Sequence, residues 1–123
     1  MLQRALAVIA VSASVVFSGG AFAQAKTVDG ILVNDAGMTL YTFDRDVAGS
    51  GKSACTGGCV PLWPALSAPD NATAKGDWTV VTRDDGKKQW AYKGKPLYTW
   101  VKDTKPGDKT GDNFNNIWHV AKP

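Results

Sequence analysis

One phrase is written twice in this chain, as LYTFDRD at Leu40 to Asp46 and as LYTWVKD at Leu97 to Asp103. In an extended strand, residues two apart share a face. Tyr41 and Phe43 therefore point one way and Leu40 the other, and Tyr98 and Trp100 oppose Leu97 in the same manner. Asp46 and Asp103 stand where each strand runs out, a position at which a short carboxylate caps a turn. The expectation is an Asx-type turn holding the first amides of the loop that follows. Two aromatic faces of this kind, each too small to be covered by its own half, would bury themselves against one another.

The flanking text repeats as well. Ile31 to Val33 and Met38 to Phe43 are β-type runs around Asn34-Asp35-Ala36-Gly37, which reads as a hairpin. Trp78 to Arg83 and Lys87 to Tyr92 flank Asp85-Gly86, a strong hairpin signal. Lys93-Gly94 turns the chain into Pro96 to Val101, and Ile117 to Ala121 is the last strand. Each half continues with a long polar loop and then a Trp, at Trp63 and at Trp118. Ala65 to Gly76 reads as a connector. Periodicity is two rather than 3.6, and no segment carries an amphipathic helix. The fold class is all-β: a small antiparallel sandwich or barrel built from two pseudo-repeated hairpin-plus-strand halves, about 28–66 and 77–123.

Residues 1–23 follow the plan of a secretory signal peptide: Arg4, an apolar run from Ala5 to Phe17, and Ala21-Phe22-Ala23. A second A-x-A, Ala23-Gln24-Ala25, offers a competing register, and the run is too short to span a bilayer as a helix. The expected product is a single exported domain, 24–123, periplasmic or secreted, with no membrane span and monomeric. Basic residues number 14 against 11 acidic ones, all of them Asp. So small an excess on an exported chain argues against nucleic acid as a partner. In an oxidising compartment Cys55-Thr-Gly-Gly-Cys59 reads first as a structural disulfide. A redox-active pair and a metal site are the other readings of that spacing.

Both copies of the phrase fit Tyr-x-(Phe/Trp/Tyr)-x-x-Asp. With GKSACTGGCVPLWPAL in the first half, and KQWAYKGKPLYTW and IWHVA in the second, the chain resembles a bacterial family of secreted repeats and predicted lipoproteins. The resemblance implies export and a repeated fold, and it supplies no substrate, cofactor or catalytic residue. This chain lacks the lipobox Cys of the lipoprotein members, which separates it from their membrane anchoring.

Candidate chemistry is sparse. His119 is the single histidine, and no nucleophile-elbow or zincin motif accompanies it. No catalytic residue and no cofactor are assigned. Copper or haem ligation would need His119 and Met38 to converge. Calcium would draw on the oxygen-rich segment containing Asp108 and Asp112. Five Trp exceed what one small core readily hides, so Trp63, Trp90 and Trp118 are candidates for a binding surface beside Lys87, Lys88, Lys93 and Lys95. The leading reading is a non-catalytic accessory or ligand-binding module serving an unknown envelope ligand or protein. The alternative is a metal- or redox-linked periplasmic protein using copper, haem or calcium.

Overall fold

Asp29-Gly30 and Lys93-Gly94 each take two consecutive positive φ values, 52° and 79° in the first pair and 51° and 83° in the second. Such pairs form the two-residue turns whose twist matches that of the strands they join. The computed structural model of the protein describes residues 25–123, and the segment read as a leader lies outside them. Asp29-Gly30 joins β1 (Ala25–Val28) to β2 (Ile31–Asn34), with Val28 opposite Ile31. Strand β1 is an addition to the expected elements, although Asp-Gly at 29–30 is the same signal that marks Asp85-Gly86. After β2 the chain folds back as expected: the Asn34 amide donates to the Met38 carbonyl and Leu40 donates to Leu32. It then enters β3 (Tyr41–Phe43).

The second half repeats this course. Strand β5 (Trp78–Thr82) pairs with β6 (Lys88–Tyr92), and Lys93-Gly94 carries the chain to β7 (Lys95–Pro96), which pairs back on β6. Pro96 lies opposite Ala91 at the end of that short ladder, where a missing N–H is tolerated. Three further short elements lie outside the expected set. A single turn of helix, α1 (Cys59–Leu62), leads into Trp63, and β4 (Ser67–Ala68) forms inside the segment read as a connector. A 3-10 turn at Phe114–Asn116 precedes β8 (Trp118–Val120). The strands form three small antiparallel sheets.

The halves exchange their closing strands. β8, from the second half, pairs with β3 of the first, with Thr42 opposite His119. The Trp63–Leu66 stretch of the first half runs beside Leu97–Thr99 of the second, where Thr99 donates to Pro64 and Leu66 to Leu97. The two arrangements match bond for bond. Leu32 donates to Ala121, Leu40 to Leu32 and Ala121 to Leu40. In the other half Trp90 donates to Leu66, Leu97 to Trp90 and Leu66 to Leu97. Between the two triangles, Tyr41 and Tyr98 exchange a reciprocal pair of backbone bonds of 2.7 and 3.0 Å. The pseudo-twofold axis therefore passes between the repeated tyrosines.

Alternation along the phrase sorts the interior into two clusters. Leu40 and Leu97 pack with Leu32, Leu66 and Trp90, while Tyr41, Tyr98 and Trp100 pack with Trp63, Trp118 and Cys55. Both clusters draw on both halves, so neither half holds a core of its own. Separately produced halves cut between Gly76 and Asp77 are expected to lack cooperative melting, and to gain ordered near-ultraviolet dichroism on mixing. Cooperative unfolding of either half alone would contradict the strand exchange.

Candidate functional site

The carboxylates of the repeated phrase reach across the axis. Tyr41 Oη donates to Asp103 Oδ2 at 2.6 Å and Tyr98 Oη donates to Asp46 Oδ2 at 2.6 Å. Each tyrosine thus finds the aspartate of the other copy. The remaining carboxylate oxygens hold the returning ends of the long loops: Asp46 Oδ1 accepts from the Ala54 amide, and Asp103 Oδ1 from the Thr110 amide and hydroxyl. This corrects the expected Asx-type turn. The first turn after each strand is closed by backbone alone, Asp46 to Phe43 and Asp103 to Trp100, which frees the carboxylates for distant partners.

Burial, reinforced by the neighbouring carboxylates, pushes both phenols well above their ordinary range. Burial also raises the Asp46 carboxyl, against the opposing pull of the Tyr98 hydroxyl, the Ala54 amide and the Arg83 charge. Arg83 ties this corner together by donating to Ser53 Oγ, Gln89 Oε1 and the Cys55 carbonyl. The Cys55–Cys59 disulfide closes the loop beside it.

The tryptophans named as a surface are interior. Trp63, Trp90 and Trp118 are 2%, 3% and 3% exposed, so they form no binding face. Two clusters rather than one core accommodate them, and flat stacking lets large rings share burial. Phe43, Trp118, Trp63 and Trp100 form a continuous stack with centroid spacings of 4.1, 3.7 and 4.0 Å. Its members alternate between the halves, and the closest contact, Trp63 on Trp118, falls at the pseudo-axis. Gly111 lies against this stack: a Cβ there would stand 2.8 Å from Trp63 Cη2 and 3.0 Å from Trp100 Cγ.

The oxygen and imidazole ligands considered for metals serve local structure. His119 Nε2 pairs with Asp44 Oδ2 at 2.8 Å and Nδ1 lies 3.2 Å from Asn113 Oδ1. Asp112 accepts from the Val120 amide. Asp108 accepts from the Thr104 amide and from Lys105, bonds that hold its carboxyl below the usual range. The Met38 amide donates to Asn34 Oδ1 in the β2 turn, and Met38 is not part of the cleft that His119 lines. Among the described residues no group of three or more His, Cys, Asp or Glu is arranged to hold a metal ion.

Strand exchange instead brings basic residues together. Lys93 and Lys95 come from the β6–β7 turn and Lys122 from the residues after β8, and they line a cleft of about 350 Å³ with Tyr92, His119 and Asp44. Lys93 occupies a left-handed position, where a non-glycine residue costs about 1 kcal/mol or more. The turn is held there because the Lys93 amide donates to Asp77 and the Gly94 carbonyl accepts from Gly49. Among the described residues the salt bridges join Lys105 to Asp108 and His119 to Asp44, and none joins a cleft lysine to a carboxylate. Lys93 Nζ sits 5.4 Å from the Tyr92 ring centre. The cleft is cationic, with an apolar floor that includes Val120 and Ala121. Sequence reasoning noticed Lys93 and Lys95 but not Lys122, which joins them through the exchanged strand.

A family model described as a secreted repeat of unknown function matches residues 24–67 and again 79–122. No curated protein and no solved structure matches the chain. No helix among the described residues is long and apolar enough to cross a membrane.

Tyr41→Phe leaves the buried Asp103 carboxylate and the Gly111 amide short of a partner, and should cost about 2 kcal/mol at pH 7. The folded protein keeps both phenolic protons where the unfolded chain sheds them, near pH 10. The stabilisation is therefore intact below that pH and falls as pH rises above it, by about 1.4 kcal/mol per pH unit for each phenol. Denaturant titrations at pH 7, 10 and 11 should show a shallower alkaline loss in Tyr41→Phe than in the wild type, and equal slopes would contradict the assignment. Gly111→Ala should lower stability by about 1–3 kcal/mol through overpacking against the stack, read from its denaturation midpoint.

Proposed function

The chain belongs to the Lipoprotein_15 family of secreted repeats of unknown function, and on that footing we propose that this exported protein is a non-catalytic module that binds an anionic polymer of the cell envelope in the cleft between the β6–β7 turn and β8. The observation that carries the reading is the convergence of Lys93, Lys95 and Lys122 on one concave surface. Ammonium groups on flexible stems suit a repeating anion, because each is a point charge that needs no fixed bidentate geometry. A cleft of one charge sign also concentrates its counter-charged partner. In this reading His119, whose two ring nitrogens both face side-chain partners, is a structural residue of the cleft wall.

Secretion supplies the setting. A protein that is secreted or periplasmic meets polymers rich in carboxylate and phosphate, and a small stapled β domain can hold a lysine cleft open without a cofactor. The disulfide closes the loop at Cys55, whose carbonyl is bound by Arg83. Its five-residue ring contributes about 2 kcal/mol by loop-closure arithmetic.

Isothermal titration with polygalacturonate at 20 and 200 mM NaCl tests the reading. Saturable binding should weaken several-fold at the higher salt, because exposed charges are screened. The combined Lys93→Ala, Lys95→Ala and Lys122→Ala variant should keep its circular dichroism and lose at least tenfold in affinity. Binding that ignores these lysines, or none by the wild type, would overturn the assignment.

A further inference from the structure

A second recess adjoins the cationic cleft and shares Tyr92 with it. This recess, about 320 Å³, is lined by Lys75, Gly76, Asp77, Trp78 and Tyr92. Trp78 and Tyr92 face each other across the β5–β6 ladder, with ring centres 4.9 Å apart and planes inclined by 54°. Trp78 meets Trp90 edge-on at 6.1 Å, and both Trp78 and Tyr92 pack against the leucine-rich cluster while remaining half-buried. The rings are thus anchored on one side and open to the recess on the other. This pair lies outside the buried stack, and its place beside the lysines is fixed by Lys93, which follows Tyr92 directly and lies over its ring.

We infer that the polymer bound in the cleft is an anionic glycan, held with a neutral sugar ring against Trp78 and Tyr92 and an adjacent acidic sugar or phosphate among Lys93, Lys95 and Lys122. The inference rests on the proposed anion-binding role of the cleft and names the class of its ligand. A pyranose presents a flat C–H face to an aromatic ring and hydroxyls at its edge, so it needs aromatic surface with polar groups at the margin. Trp78 and Tyr92 supply the first, and Lys75 and Asp77 the second. At that margin the Lys75 ammonium can donate to sugar hydroxyls and the Asp77 carboxylate can accept from them, and their two charges offset one another. The recess therefore favours a neutral unit and the cleft a charged one. An acidic polypeptide, charged at every residue, brings no flat neutral C–H face to Trp78 and Tyr92, which makes it the poorer occupant.

The test uses the full exported chain with hyaluronan oligosaccharides, in which neutral N-acetylglucosamine alternates with glucuronate, and with poly-glutamate of matched charge. Hyaluronan should bind at least tenfold more tightly than poly-glutamate. Trp78→Ala should lose at least tenfold for hyaluronan while leaving poly-glutamate unchanged. Should Trp78→Ala fail to fold, Trp78→Leu keeps the apolar bulk that covers Trp90 but removes the ring face, and should show the same selective loss. Proton spectra of the bound oligosaccharide should place ring-current shifts on the N-acetylglucosamine C–H protons. Equal affinity for the two polymers, or insensitivity to both Trp78 variants with the lysine dependence intact, overturns the glycan inference and leaves the anion-binding cleft standing. Loss of lysine dependence for every polymer overturns both.

Discussion

Two hydroxyl–carboxylate bonds that cross the pseudo-axis, Tyr41 to Asp103 and Tyr98 to Asp46, hold the two halves to one geometry. Each ties a strand of one half to the far end of a long loop in the other, because the second oxygen of each aspartate grips the amide at which that loop returns. A buried carboxylate carries a large desolvation cost unless its oxygens are engaged. The phrase therefore works as a reciprocal lock, and either copy without the other would leave a phenol and a carboxylate unmatched. The aromatic stack, the closed loops and the exchanged strands all sit around that lock.

The lysine cleft is a by-product of the same exchange. Lys93 and Lys95 belong to a turn of the second half, but Lys122 reaches them only because β8 leaves its own half to pair with β3. The proposed ligand surface is thus built where the halves interlock, on the outside of a scaffold that is rigid inside. The buried Tyr41, Tyr98 and Asp103 hold the halves together, whereas Lys93, Lys95 and Lys122 line the cleft outside.

Much of the architecture was legible in the residues. Alternation in LYTFDRD and LYTWVKD predicts that leucines and aromatics part company, and they occupy separate clusters. Asp85-Gly86 and Lys93-Gly94 mark hairpins at which the chain does turn. Asp29-Gly30 is the same signal, and it marks the turn between β1 and β2. The partners of Asp46 and Asp103 were not legible, because local turn chemistry explains an aspartate at a strand end as well as a bond to a residue 52 or 62 positions away. Burial of Trp63, Trp90 and Trp118 was misjudged for a related reason. Counting rings against one core overlooks the two cores that interlocking creates, and the ring-on-ring stacking inside the aromatic one.

The exchange of closing strands has a consequence for ancestry and for dilution. A chain carrying one such repeat would possess a tyrosine without its aspartate, and a Trp strand without the ladder it completes, so it would become whole only by embracing a second copy of itself. The duplicated chain is that dimer written as a single polypeptide. Joining the copies converts an encounter between molecules into one within a molecule. The assembled state then no longer depends on concentration, which for an exported protein is the quantity least under control.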